Sequence, residues 1–218
     1  GLLMGNMYQK RRGRSWDLRK QSIELWPQWI TFLKKFNYEL NIEKPLIQLT
    51  TNEEKFKKLE KFVYENNDQN LQILERDSIF INNINKAFQT KNIQGMISFK
   101  DGRINALSLL KTLDKYLKHK KVNFLEKEII KIKKSKNQWI STTRNDQEIK
   151  SDIVILCNSL KTVDLIDSAH HNIKLKPVLG QAIEVDINDA AVDLLSLPKQ
   201  FNINGTNIIP ISKNKLII

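Results

Sequence analysis

Between Gly95 and Gln181 the chain passes through one fixed order of local signals, and that order constrains the fold more than any other feature. Gly95-Met96-Ile97-Ser98-Phe99 is a short apolar run that reads as a strand, and Asp101-Gly102 after it reads as a turn. Ile104, Leu107, Leu110, Leu113 or Asp114, and Leu117 then recur at helical spacing. That helix ends near Lys118-His119-Lys120-Lys121, whose cations suit the negative end of its dipole. Residues 122–124, 128–133, 139–143 and 148–156 follow as strands separated by polar turns, with Asn145-Asp146 as the tight turn between the last two. The last strand runs into Asp152-Ile153-Val154-Ile155-Leu156-Cys157-Asn158, and Lys176-Pro177-Val178-Leu179-Gly180-Gln181 lies in a further strand over residues 175–187. Such an order needs sheets with a helical layer, which excludes an all-helical bundle and a closed barrel without helices.

The flanking sequence is the same mixture. Ser15 or Asp17 sits where a helix cap belongs, and Ser22, Trp26, Trp29 or Ile30, Leu33 and Phe36 predict a helix over residues 16–36, kinked or broken at Pro27. Residues 45–50 read as a strand, and Thr51 or Asn52 caps a helix through Tyr64 with Phe56, Leu59 or Glu60, and Val63 inward. Leu74 with Asp77-Ser78-Ile79 marks a strand end and a short helical turn; residues 190–195 predict a short helix. Residues 201–203 read as a strand, and residues 208–211 and 215–218 as a hairpin. The expected fold is α+β. Residues 176–187, 201–203 and the hairpin pair with residues 45–50 and 95–99 in one mixed, largely antiparallel sheet with helices on one face. The strands of residues 122–156 form a second, smaller sheet.

Composition narrows the function classes. A chain of 218 residues with 40% hydrophobic and 28% charged residues buries a sizeable core, as one large domain or two small ones. No apolar run approaches the roughly 18–20 residues of a membrane span, so no membrane partner is expected. The single cysteine, Cys157, excludes an internal disulfide and fits a reducing compartment such as the cytoplasm; it lies in an apolar run and reads as a buried, inert thiol. With no sign of secretion, Asn204-Gly205-Thr206 reads as a chance sequon. His170-His171 are adjacent and cannot share a helix face, so no metal site is expected there. The net charge of +12 comes from lysines scattered over the whole sequence, which reads as composition rather than a site. A nucleic-acid or phosphate-binding module without catalysis is the competing class. It would need Arg11, Arg12 and Arg14 to join Lys118, Lys120 and Lys121 in one patch interleaved with aromatic rings.

With its motifs in this order, the chain resembles the middle of the FAD-dependent D-amino-acid oxidase, glycine oxidase and sarcosine oxidase family. In that family a "DG" turn precedes a helix, an "A-D-x-V-V-x-A-x-G" strand approaches the flavin nucleotide, and "P-V-x-G-Q" opens a substrate-domain strand. Gly1-Leu2-Leu3-Met4-Gly5-Asn6-Met7, followed by Trp16-Asp17-Leu18-Arg19-Lys20-Gln21-Ser22, resembles the "A-G-x-L" segment under the flavin ring and the first substrate-domain helix. The resemblance implies an oxidoreductase that takes a hydride from the C–N carbon of a small amino acid or amine onto FAD. It assigns Gly1, Leu2, Leu3, Met4 and Gly5 to the flavin, Ile129, Cys157 and Asn158 to its nucleotide end, and Asn207 to the position of a substrate tyrosine. Asn158 stands where the family has a glycine, and Gly180-Gln181 match a structural "G-Q" pair. The implied division is residues 1–14 near the flavin, 15–100 and 171–218 in a substrate-binding domain, and 101–170 in part of an FAD-binding domain.

No G-x-G-x-x-G occurs, since the seven glycines are far apart, and the family's substrate arginine has no counterpart before Ile218. The resemblance therefore implies a fragment of such an enzyme, with no catalytic residue assigned. The 218-residue chain is expected to be colourless, holding no FAD through gel filtration, because the pyrophosphate has no Gly-rich turn at a helix N-terminus. A family member with tRNA-modifying work is a third reading, reconciling flavin with positive charge.

Overall fold

The computed structural model describes residues 1–166, 175–187 and 193–218. The chain forms two compact units, Gly1–Lys121 with Ala182–Ile218, and Val122–Gln181. In chain order the elements are β1 (Leu2–Leu3), α1 (Arg14–Leu33), β2 (Leu46–Thr50), α2 (Glu53–Asn66), β3 (Leu71–Leu74), α3 (Ile79–Phe88), β4 (Gln94–Ser98), β5 (Gly102–Arg103) and α4 (Ala106–His119). Then come β6 (Ile129–Ser135), β7 (Gln138–Thr143), β8 (Glu148–Ser151) and α5 (Thr162–Ile166), and after them β9 (Glu184–Asp186), β10 (Phe201–Ile203), β11 (Thr206–Pro210) and β12 (Lys215–Ile217).

The first unit is built on a seven-stranded sheet of order β3-β4-β2-β10-β11-β12-β9. Every neighbouring pair is antiparallel except β2 and β10, which run parallel with Phe201 opposite Ile47. This is the mixed, largely antiparallel sheet the sequence predicts. The expectation of helices on one face is corrected. Leu46 and Met96 pack with Leu59 and Phe62 of α2, whereas Ile47, Leu49 and Ile97 pack with Ile81 and Ile84 of α3. Adjacent strand residues point to opposite faces, so α2 and α3 cover different sides. The reason is visible in β2 and β4: they carry apolar residues on both faces, Leu46 and Met96 on one and Ile47, Leu49 and Ile97 on the other, and both faces are buried.

Asn52 caps α2 by accepting the amide of Lys55, as its residue type predicts. For α1 the expected cap at Ser15 or Asp17 gives way to Gly13, with no side-chain cap, and the helix runs unbroken through Pro27. Ile30 and Leu33 are its buried residues, and Trp29 stands 55% exposed. On α4 the buried side is Leu109, Thr112, Leu113 and Tyr116, while Leu107 and Leu110 face outward. Its leucines allow two helical stripes. Tyr116, edge-on to Phe32 and Phe36 of the α1 region, selects one of them. That packing keeps α4 in the first unit, whose first segment runs to Lys121.

The second unit holds the smaller sheet, β6-β7-β8, all antiparallel. The strand predicted for residues 148–156 stops at Ser151, because its last partner is Trp139 and the antiparallel β7 begins only one residue earlier, at Gln138. Ile153 and Ile155 are left exposed in irregular chain. No strand forms over residues 122–124, and of residues 175–187 the strand covers Glu184–Asp186, matching the three residues of β12, with Ile183 and Ile187 adding backbone hydrogen bonds to Ile218 and Asn214. Residues 190–192 of the expected short helix, like His170-His171, lie outside the described residues; Leu194–Ser196 is a 3₁₀ turn.

Gly95 sits where β4 crosses β2 so closely that a Cβ there would lie 2.0 Å from the carbonyl oxygen of Gln48. Gly95→Ala is expected to lower the stability of the first unit by about 1–3 kcal/mol. The restriction it places on the unfolded chain works the other way by only ~0.4–1 kcal/mol. Urea unfolding followed by circular dichroism checks this, and an unchanged or raised midpoint refutes it.

Candidate functional site

In the first unit the N-terminal segment is fastened from two sides. β1 pairs antiparallel with β5, Leu2 opposite Arg103 and Leu3 opposite Gly102. The Asp101 carboxylate, 2% exposed, then gathers the next three residues. Its Oδ1 accepts the amides of Gly5 and Asn6 at 2.9 Å and the Asn6 side chain at 3.0 Å, and its Oδ2 accepts the amide of Met7 at 2.8 Å. Asp101-Gly102, expected as a turn, is instead a buried anchor leading into β5: the chain bends at Phe99-Lys100 and Gly102 is already in the strand. Gly5 permits the loop to lie on α1, since a Cβ there would meet the Ile23 side chain at 2.1 Å.

Cations and rings interleave along the same loop. The Arg19 guanidinium lies 3.9 Å over the Tyr8 ring, Tyr8 stacks on Trp16, and Arg11 lies over both Trp16 and Phe62. Arg11 also donates to the Asn6 carbonyl at 2.7 Å and to Asn66 Oδ1. These contacts are internal to the unit and tie residues 4–11 to α1 and α2, so Arg11 already has partners within the chain. Between the loop and α1 lies a cleft of about 120 Å³ whose walls include residues 2–5, Arg19, Ser22 and Trp26.

The second unit carries an open cleft of about 670 Å³ lined by Ile129, Ser141, Cys157, Asn158 and Lys161, among others. At its edge Glu128 accepts two hydrogen bonds from Arg144, at 2.7 and 2.8 Å. Arg144 holds the Glu128 carboxyl below its ordinary range, and Glu128 in turn holds the guanidinium above its own. Asn158 Oδ1 accepts the Thr162 hydroxyl at 2.5 Å at the start of α5.

Of the residues the resemblance assigns, Ile129, Cys157 and Asn158 therefore share one cleft in the second unit, and Leu2, Leu3, Met4 and Gly5 share another in the first. Gly1 immediately precedes β1, its backbone nitrogen 2.7 Å from the carbonyl oxygen of Ile104. Asn207 stands exposed on β11, accepting a hydrogen bond from Asn202 at 2.9 Å. Cys157 is exposed, which corrects the expectation of a buried thiol: β8 ends at Ser151 and Cys157 follows it in irregular chain. Arg19 and Asp101 are the residues the sequence reading missed as contributors. For Asp101 the signal was an acid between two apolar segments; for Arg19 it was helical spacing with Ser22 and Trp26. Among the described residues no group of three or more His, Cys, Asp and Glu could hold a metal ion, and no helix is long and apolar enough to cross a membrane.

FAD can be tested against these walls. The second-unit cleft has the size and apolar lining of a nucleotide's base end, but among the described residues no glycine lines it and Lys161 is the one cation, so those residues offer no phosphate cradle. They fit the base end of such a cofactor and not its pyrophosphate.

No protein-family model matches the chain, and no curated protein does. Solved structures match it along its whole length. Glycine oxidase from Geobacillus kaustophilus superposes with a TM-score of 0.77 at 19% identity, over 100% of this chain and 58% of that one. Glycine oxidase from Bacillus cereus gives 0.77 at 16% identity, over 100% and 60%. Iminodiacetate oxidase from a Chelativorans species gives 0.75 at 9% identity, over 100% and 59%. The chain thus spans less than two thirds of the length of the oxidases it matches. It has the α+β fold of the matched part of glycine oxidase and iminodiacetate oxidase.

Proposed function

We propose that this chain belongs to a flavin-dependent oxidoreductase that oxidises the C–N bond of a small amino acid or amine. The observation that carries the reading is the full-length match to amino-acid oxidases at TM-scores up to 0.77, together with the sequence motifs that fall on the two clefts. FAD, when bound, supplies the hydride acceptor, and the protein supplies position and electrostatics. In this reading residues 2–5, held by Asp101, present their backbone to the ring side of the cofactor. Ile129, Cys157 and Asn158 take the nucleotide end. Trp26 and Ile23 of α1 give the first-unit cleft apolar walls that exclude water.

Ligand pieces test this on the chain as it stands. In two-dimensional NMR, AMP at millimolar concentration is expected to shift Ile129, Cys157 and Asn158, whereas FMN shifts residues 2–5. Shifts in neither place sink the cofactor assignment. A protein carrying this chain at the full length of the matched oxidases is expected to lose its flavin absorbance anaerobically on adding glycine, sarcosine or D-alanine. No bleaching with any small amino acid or amine sinks the reaction.

A further inference from the structure

We infer that Asn204-Gly205 is a conditional modification site: the folded chain holds it unreactive, and opening of the β10–β11 hairpin releases it to deamidate to aspartate and isoaspartate. Neither cofactor nor substrate bears on this, and water is the one co-reactant. The Gly205 backbone nitrogen bonds to Asn204 Cγ, its proton leaves with the side-chain nitrogen as ammonia, and a succinimide ring forms. Water then opens either carbonyl of the ring, giving aspartate through one and isoaspartate through the other; nothing is oxidised or reduced. An Asn-Gly pair is the least hindered for this step, because glycine has no Cβ beside the attacking nitrogen. The pair occurs once in the sequence.

Both reacting groups are restrained. The Asn204 amide donates to the Leu49 carbonyl at 3.0 Å. Its Oδ1 accepts the Thr50 hydroxyl at 3.0 Å and the Thr51 amide at 3.2 Å, and its Nδ2 donates to Thr51 Oγ1 at 3.0 Å. The side-chain amide is thus committed through both its polar atoms to the chain after β2, and turning Cγ toward Gly205 breaks those contacts. The nucleophile is held as well, since the Gly205 amide donates to Asn202 Oδ1 at 2.9 Å. Asn204 itself stays exposed, so water reaches it and the protection is geometric. The two products differ in consequence. Aspartate keeps an oxygen for Thr50 and Thr51, and the Thr51 hydroxyl can turn to donate to the other oxygen. Isoaspartate routes the backbone through the side-chain carbon, which lengthens a two-residue turn and disturbs the register of β10 against β11. Because β10 also pairs with β2, that lesion falls on the parallel joint of the sheet. A chain that has once opened there carries a permanent mark.

The test incubates the 218-residue chain in mildly alkaline buffer, once folded and once in guanidinium chloride that unfolds it. Peptide mass spectrometry then reads Asn204, with the aspartate and isoaspartate forms separated by chromatography. Conversion is expected to be at least about tenfold slower in the folded chain, because it proceeds through the open population alone. Thr51→Val removes the acceptor of Nδ2, and Asn202→Ala removes the acceptor of the Gly205 amide. Each is expected to speed conversion of the folded chain about threefold or more, in line with one lost hydrogen bond, and to leave the rate in guanidinium chloride unchanged. Amide protection in β2 and β4 should stay at the parent's level, which places the release at the hairpin. A folded-to-unfolded ratio below about tenfold, or a folded rate that neither variant raises, overturns the inference.

Discussion

Asp101→Ala is expected to be among the most damaging single changes in the first unit, lowering its stability by about 3–5 kcal/mol. The carboxylate is buried and takes the amides of Gly5, Asn6 and Met7 from almost a hundred residues away. Each buried donor left without a partner costs ~1–3 kcal/mol, and hydrogen bonds to a charged acceptor lie at the upper end of the usual range. No water replaces the carboxylate cheaply, because Met7 is itself 2% exposed and packs with Met96 and Leu59. Asp101→Asn does not rescue the site. Its amide nitrogen would face a backbone donor in place of an acceptor, so one of the two oxygens' roles is lost. The thermal midpoint should fall by roughly 6–20 °C, taking ~2–4 °C per kcal/mol for a chain of this size. Hydrogen exchange gives the specific signature: the amides of Gly5, Asn6 and Met7 lose protection while those of β2 and β4 keep theirs at low temperature. A variant within 1 kcal/mol of the parent, with those three amides still protected, would falsify the anchor. The consequence for function is direct, because the same carboxylate shapes the loop that closes the first-unit cleft.

How much of this was legible beforehand differs by element, for physical reasons. The strands β2, β4, β10, β11 and β12 and the helix α2 announce themselves through apolar runs and a capping asparagine, which are local signals. That they share one mixed, largely antiparallel sheet was legible too, whereas their order in it was not. What the sequence did not carry was anything decided by a distant partner. Whether Leu107 and Leu110 or Leu109 and Leu113 point inward depends on the rings of Phe32 and Phe36, not on α4 itself. The end of β8 depends on where β7 begins, and the burial of Asp101 depends on the N-terminal loop, more than ninety residues away. Asn204-Gly205, read as a sequon, is a hairpin turn: both residues have positive φ, 53° and 97°, between β10 and β11. The clefts follow the same rule. Ile129 and Cys157, far apart in sequence, line one cleft, while the place of Arg19 is set by Tyr8 and the Met4 carbonyl.

Phe201→Ala is expected to cost about 3–5 kcal/mol, the usual range for emptying a buried phenylalanine site. Phe201 is 1% exposed, opposes Ile47 across the sheet's only parallel pairing, and meets Phe88 of α3 edge-on at 6.0 Å. It is therefore the residue through which β10, β11, β12 and β9 join the strands formed by the first hundred residues. Leu194, Leu197, Ile208 and Leu216 belong to the same core, so the cavity left by alanine is lined by side chains already fixed by other neighbours. They cannot all move to fill it, which is why the cavity's own cost adds to the lost burial. Phe201→Leu keeps part of the volume and should lose less than half as much. Urea unfolding distinguishes the outcomes: the midpoint should shift while the slope stays near that of the parent if the seven strands melt as one unit. A loss below about 1 kcal/mol, or a separate early transition for residues 201–218, would mean that the C-terminal strands are docked loosely on the sheet. The sheet would then consist of two independent pieces, contrary to the continuous core that Phe201 shares with Ile47, Ile81 and Ile97.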